Sequence, residues 1–318
     1  ARGQHAVAAA SLLAWCLIPV ALAFAVTDRF TESVLTLAAI QALYSASWDL
    51  LGGVSGQVSL GHALPFGCGA YVAAVLSSSG LLGPGAAFAC GAAGGALLGA
   101  LQGILARHLR RAFLALVTLA LAECAHELSG MLQMPGREGT VFGGEGGIPS
   151  VLFPSDELGA ARLAAVVFAA GVIGLVWVAR SNLGLAMRTA RADPRAAAAS
   201  GIDVARVRLV AFVLSGGVAG LSGALLAGLV GRASPSMLSL ETSFFAVAAA
   251  VLGGVGTILG PAASAYLLTA ALQWLDLPGP VRLTLYGAVL IAAGLAAPER
   301  AFQPGARLWR ALRWARGG

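Results

Sequence analysis

The stretch Leu51–Leu76, LGGVSGQVSLGHALPFGCGAYVAAVL, decides how the rest of the chain is read. It is rich in Gly and Ser, carries Gln57 and His62, and breaks an apolar run at Pro65 before another begins. In a water-soluble protein such a segment is a loop beside a core helix. Here 58% of the 318 residues are hydrophobic, only 11% are charged, and the mean hydropathy is +0.84. Irregular polar backbone at membrane depth is tolerated only where protein encloses it or a watery path runs beside it. The segment therefore points to a conduit for solute.

Outward from it, apolar runs recur at 8–26, 33–51, 65–80, 86–106, 112–130, 163–179, 207–230, 242–254, 258–275 and 281–297. Most are long enough to cross roughly 30 Å of hydrocarbon as a helix. The expectation is an all-α, polytopic membrane bundle with about ten crossings, or eight to ten. The short run 242–254 reads as a broken or re-entrant helix. The first run has a secretory look, with Arg2 before it and Ala21-Leu22-Ala23 like a cleavage site. Retained and ending at Thr27-Asp28-Arg29, it keeps the topology consistent.

The net charge of +6 does not describe a nucleic-acid binder, because of where the arginines fall. Counting spans places fifteen on one side: Arg2, Arg107, Arg110, Arg111, Arg180, Arg188, Arg191, Arg195, Arg206, Arg208 and the five after Glu299. Five fall on the other side, Arg29, Arg137, Arg162, Arg232 and Arg282, with most of the acids. The arginine-rich side is cytoplasmic by the positive-inside rule, and both termini are then inside. Cys16, Cys68, Cys90 and Cys124 lie in or beside spans without CxxC spacing and read as small apolar fillers.

Two connections exceed simple turns. The external one, 131–161, contains Pro135-Gly136 and Phe142–Pro149, FGGEGGIP; it is either a flexible lid or a docking surface. The cytoplasmic one, 180–206, carries a short-helix signature: Asp193 at the N-cap, Pro194 at the first helical position, Arg195 and four alanines, then Gly201 to close it. Such a helix is about 10 Å long and marginal alone. Without a bulky apolar face it does not suit a lipid surface, so a groove on another protein is its expected seat. The basic tail 298–318 follows the last span.

Polar residues inside the spans are the candidate machinery. Gln57, Ser59 and His62 are expected to line the path with Gly253, Gly254, Gly256 and Gly260, since Leu51-Gly-Gly-Val54 is echoed by Leu252-Gly-Gly-Val255. Paired Gly-interrupted segments in two halves mark transport paths. Ser55, Gln57 and Ser59 are expected to satisfy carbonyls left open at Gly52, Gly53 and Gly56, with Asp49 and His62 flanking the segment on the cytoplasmic side. His62 either shuttles a proton or fixes backbone groups in the break. Glu123, His126 and Glu127 share one helix face at i, i+3 and i+4, and either line a cavity or approach the external interface. No second Glu-x-x-His lies in a span, so a metal site is not expected.

The chain has no lysine, no Gly-x-Ser-x-Gly elbow and no His-Glu-x-x-His. Its Gly-rich stretches are therefore not nucleotide cradles, it binds no cofactor of its own, and ATP-driven work must come from another polypeptide. An ion-coupled secondary transporter or channel using Glu123, His126 or Glu127 is the alternative.

Gly53–His62 followed by Phe66–Tyr71, the LVTLALAE of Leu116–Glu123, FGGEGGIP, Ser181–Arg188 through Val204, and Val251–Pro261 resemble, in order, the motifs of branched-chain amino acid ABC transporter permeases of the LivM type. The resemblance runs from about residue 35 to 297. In FGGEGGIP, Phe142 stands where that family usually has a threonine. The resemblance implies a bacterial inner-membrane importer subunit in a single permease domain. It would pair with a second homologous permease, sit on ATP-binding cassette subunits that bind ATP, and receive solute from a periplasmic binding protein. The short helix would then be the coupling helix, with Asp193, Arg195, Ala198 and Gly201 at the ATPase groove. Branched-chain amino acids, urea, amides or other amino acids are the cargoes of such relatives.

Overall fold

The structure, a computed structural model, describes Ala21 and residues 28–79, 82–107, 109, 111–131, 146–150, 157–275 and 277–296. The expected first span 8–26 (Ala21 apart), most of the 131–161 connection and the tail 298–318 lie outside the described residues.

Helix α1 (Arg29–Asp49) runs into a π-helical turn (Leu50–Val54), and an irregular stretch leads to α2 (Ala63–Ser78). Then come α3 (Pro84–Ala106), α4 (Arg111–Met131), strand β1 (Ile148–Pro149), α5 (Glu157–Arg180), α6 (Asn182–Ala192) and α7 (Pro194–Ala199). After these follow α8 (Val204–Val230), β2 (Arg232–Ala233), a 3-10 turn (Pro235–Leu238), α9 (Leu240–Gly253), α10 (Leu259–Leu275) and α11 (Gly279–Ala296). The two strands form one antiparallel pair, Ile148 opposite Ala233.

Local chemistry sets the helix ends. Asp28 caps α1 by accepting from the Thr31 hydroxyl at 2.7 Å and its amide at 3.0 Å, which together hold the Asp28 carboxyl below its usual range. Asp203 caps α8 through Arg206 N, and Gly231, at φ 75°, ends it in the left-handed conformation. Pro84 starts α3 at a position that needs no amide.

Packing depends on small residues, as expected where lipid tails remove the hydrophobic drive between helices. Gly91, Gly95 and Gly99, three glycines spaced four residues apart, form a stripe on α3 against Gly216 and Gly220 on α8. A Cβ on Gly95 would lie 2.6 Å from Gly220 Cα, and one on Gly220 would lie 2.8 Å from Gly95 Cα. Gly69 of α2 meets the same Gly220 backbone, so three helices converge there. Gly220→Leu is expected to separate them and cost at least about 1–3 kcal/mol. A lower melting temperature of the detergent-purified protein checks this, and an unchanged one refutes the close packing.

Helix α1 is the axis. It packs on α5, α8, α9 and α10, and 83% of its span is buried, against 22% for α4. Five described helices are long and apolar enough to cross a membrane: Arg29–Val54, Pro84–Ala106, Phe113–Met131, Ala161–Arg180 and Val204–Val230. Ala63–Ser78, Leu240–Gly253 and Gly279–Ala292 are apolar but shorter. Two of these abut a backbone break, α2 at its start and α9 at its end, which is why they fall short. Leu97, Leu101 and Leu105 on α3, Phe113 and Leu116 on α4, and Trp177 on α5 are exposed. A surface so apolar belongs in lipid, and the chain is a multi-pass membrane protein.

Candidate translocation core and coupling segment

The break after α1 is buried yet almost wholly irregular. The π turn continues the backbone ladder: Ser55 N donates to Leu50 O and Gln57 N to Leu51 O, each at 3.0 Å. Gly56, at φ 73°, then reverses the chain, and Gln57–His62 folds back along the last turns of α1. Trp48 Nε1 donates to Ser59 O at 2.7 Å, and Ser47 Oγ lies 3.0 Å from His62 Nε2. The His62 ring stacks on Tyr44, with centroids 5.3 Å apart.

Other helices hold the returning backbone. Thr118 of α4 accepts from Leu60 N at 3.2 Å, Gln102 of α3 donates to Gly61 O at 3.2 Å, and Ser243 of α9 accepts from Ala63 N at 3.2 Å. Gly61 lies so close to α4 that a Cβ would fall on the Thr118 backbone. The expectation that Ser55, Gln57 and Ser59 would satisfy the break's own carbonyls is overturned: Ser55 Oγ, Gln57 Nε2 and Ser59 Oγ have no partner. Nor does His62 fix backbone; its contacts are the Ser47 and Tyr44 side chains, and its Nδ1 is unpartnered. The reason is geometric. Helices α3, α4 and α9 approach the returning backbone directly and supply its hydrogen bonds instead. Buried polar atoms without a protein partner are the groups expected to meet water or a polar solute.

The second break, Gly254–Ile258, joins α9 to α10. Gly253 and Gly260 touch backbone to backbone, Thr257 Oγ1 donates to Gly254 O at 2.8 Å, and Ser264 Oγ ties α10 to Ala249 O. Ile258 sits at φ 60°, the one non-Gly residue with positive φ among the described residues. A β-branched side chain there is strained and needs support from its surroundings.

Asp49 supplies that support and joins the two breaks. Its carboxylate, fully buried, accepts from Gly256 N at 2.6 Å and Ile258 N at 2.8 Å. A carboxylate at a helix C-terminus opposes the helix dipole, so this acid depends on donors from elsewhere. Gly53 must lack a side chain because its Cβ would collide with the same carboxylate. The echoed Leu-Gly-Gly-Val segments are thus neighbours in space. Arg191 at the end of α6 completes the junction: it acts on Asp49 as an opposite charge, and its aliphatic stem lies against Gly56.

Two residues beyond Arg191, Asp193 Oδ1 caps α7 by accepting from Arg195 N at 2.8 Å and Ala196 N at 3.2 Å. Gly201, at φ 85°, closes it, with its N–H bonded to Ala198 O at 3.0 Å. Ala197 is buried against the protein, whereas Arg195 and Ala198 are exposed. The short helix therefore stands out from the bundle with one small face free.

The Glu123, His126 and Glu127 face does not join this core. His126 Nδ1 donates to Pro235 O at 2.8 Å and anchors the 3-10 turn, Glu127 is exposed, and Glu123 is half-buried with Oε1 unpartnered. Among the described residues no cluster of His, Cys, Asp or Glu could hold a metal ion. Cys68, Cys90 and Cys124 are free thiols. Sequence reasoning missed the bridging by Asp49 and the roles of Trp48, Gln102, Thr118, Arg191 and Ser243. The available signal was isolated polar residues inside apolar runs.

The family profile described as "Branched-chain amino acid transport system / permease component" matches residues 30–294. The chain is 31% identical over 285 residues to the high-affinity branched-chain amino acid transport system permease protein LivM of Escherichia coli (strain K12), covering 81% of this chain and 66% of that protein. With the same-named protein of Salmonella typhimurium (strain LT2) identity is 30% at the same coverage. The chain spans just under two thirds of the length of these curated relatives. No solved structure matches it. Because the matched region takes in both breaks, the Asp49 bridge between them and the capped helix beside it, the chain belongs to the branched-chain amino acid transport system / permease component family.

Proposed function

We propose that this chain is the permease subunit of an ATP-binding cassette importer that moves branched-chain or related amino acids across a bacterial inner membrane. It is a transport subunit rather than an enzyme. The observation that carries this reading is the junction at Arg191. A capped helix with one exposed small face leads within two residues to a side chain packed on one backbone break and facing the carboxylate that holds the other.

Partner ATPase subunits bind ATP and seat α7 in a groove, with Asp193, Arg195, Ala198 and Gly201 at the contact. Their closure moves α6 and α7, and Arg191 passes the movement to Gly56 and Asp49. The Gly253–Gly260 contact then shifts against α1, which is possible because glycine backbones present no side chains to interlock. Solute passes beside Gln57, Ser59 and His62 and the Gly253, Gly254, Gly256 and Gly260 backbone.

The chain forms one permease domain with about ten crossings and both termini cytoplasmic. A second homologous permease stands beside it, and the 131–161 connection meets a periplasmic binding protein. The relatives' printed names support amino acids as cargo, and the 15-to-5 arginine distribution supports the orientation.

Reconstitution tests this. Proteoliposomes holding the permease, its ATPase subunits and binding protein are expected to accumulate labelled leucine only with ATP. Accumulation driven by an ion gradient, without ATPase subunits, would overturn the reading in favour of an ion-coupled carrier.

A further inference from the structure

A second polar site lies away from both breaks. Between α1, α9, α10 and α11 is a cavity of about 90 Å³, lined by Gln41, Glu241, Thr242, Thr269, Gln273 and Arg282, with Leu37, Phe245, Leu272 and Tyr286 as its apolar walls. It opens among helix ends: Glu241 and Thr242 are in the first turn of α9, Arg282 in the first turn of α11, and Gln273 in the last turn of α10. By the arginine count these ends face outward, where delivered solute arrives.

The lining suits one ligand chemistry. One carboxylate and one guanidinium border the same small space, so an ion of a single sign is attracted by one and repelled by the other. Arg282 is held in place, its Nε donating to Leu277 O at 2.7 Å, and the Glu241 carboxylate lies beside the start of α11, Oε2 3.3 Å from where a Gly279 Cβ would stand. Thr269, only 5% exposed, has an Oγ1 with no protein partner, and Gln41 Oε1 is also unpartnered. Both residues line the cavity, and a buried polar atom without a protein partner is a candidate partner for a polar ligand or ordered water. The volume holds about six to nine water-sized groups at roughly 10–15 Å³ each. That accommodates the ammonium, Cα and carboxylate of an α-amino acid but little of its side chain.

We propose that this cavity binds the zwitterionic head of an α-amino acid, with Arg282 facing the carboxylate, Glu241 the ammonium, and Leu37 and Leu272 the first carbons of the side chain. The N-terminus of α11, which carries Arg282, adds partial positive charge on the carboxylate side. The proposal rests on the importer reading for its cargo. The site receives solute on the outer side before the breaks open, and no residue of the expected path lines it.

Direct binding decides it. The permease complex with its ATPase subunits, in lipid nanodiscs without binding protein or ATP, is titrated with labelled L-leucine. Leucinol, which lacks the carboxylate, and 4-methylpentanoate, which lacks the ammonium, are the competitors. The wild-type complex should prefer leucine to both. Arg282→Gln should weaken leucine binding by roughly tenfold or more and erase its advantage over leucinol alone; Glu241→Gln should erase its advantage over 4-methylpentanoate alone. Thr269→Val removes a hydroxyl that bonds no protein group, so it should leave melting unchanged while weakening leucine several-fold. No leucine binding by the wild-type complex, or unaltered affinity and preference in a monodisperse Thr269→Val and either charge variant, overturns the proposal. So does loss of melting temperature without loss of preference, which would make Glu241 and Arg282 a stitch between α9 and α11. Absence of ATP-driven uptake alongside these charge-specific preferences would fault the importer reading and leave the site standing.

Discussion

Asp49→Ala is expected to abolish ATP-driven uptake and to destabilise the protein by about 2–6 kcal/mol. The substitution leaves Gly256 N and Ile258 N buried without acceptors, and each such amide costs about 1–3 kcal/mol. Relief of a buried charge works in the opposite direction. That relief offsets part of the loss and holds the expected cost toward the lower end of the range, since both amides still lose their acceptor. Ile258 adds to the loss: at φ 60° it is held only while its amide is anchored. Asp49→Asn should fall between, since an amide oxygen can serve one N–H while its NH₂ opposes the other. Gly53→Ala should resemble Asp49→Ala, because its new methyl group occupies the carboxylate's place. Melting in detergent and uptake by the reconstituted complex check the series. Wild-type behaviour of Asp49→Ala in both would remove the bridge from the mechanism.

That bridge shows where reading the chain as text runs out. The expected spans 86–106 and 112–130 fall within two residues of Pro84–Ala106 and Arg111–Met131, since apolar length is a local property. The short helix after Asp193 was legible for the same reason: an Asx cap, a proline at the first position and a closing glycine act within one turn. The echo of Leu-Gly-Gly-Val located both breaks. What held them was not legible, because the partners are distant in sequence: Thr118 is 58 residues from Leu60, Ser243 is 180 from Ala63, and Asp49 is 207 from Gly256. Period and capping carry no information about such pairings. The polar residues nearest in sequence, Ser55, Gln57 and Ser59, are the natural candidates, and in the folded chain their side-chain donors have no partner. The π turn at Leu50–Val54 likewise has no local signature, as it arises where α1 must deliver Asp49 and Gly53 against the second break.

Ala198→Trp is expected to leave the isolated permease intact and to eliminate uptake. Ala198 is exposed on a helix only six residues long, so a large side chain there strains nothing within the chain. On the importer reading proposed above, its effect comes from the ATPase groove expected to close over that face, which an indole would be too large to enter. Ala197 is the control: it is fully buried against the bundle, so Ala197→Trp should damage folding first. Gly201→Pro reaches the same end by another route. Proline fixes φ near −65°, which is incompatible with the observed 85°, and it removes the amide that closes the helix on Ala198 O. Gly201→Ala, with open space around it and only the left-handed conformation to resist, should cost about 1–2 kcal/mol and weaken uptake without ending it. For Ala198→Trp, co-purification of the ATPase subunits should fall by more than about tenfold while the melting temperature stays at the wild-type value. If the tryptophan variant retained both its ATPase subunits and its uptake, force would have to enter the bundle elsewhere. The contact of Arg191 with Gly56 and Asp49 would then be a structural brace rather than the last link of a drive train.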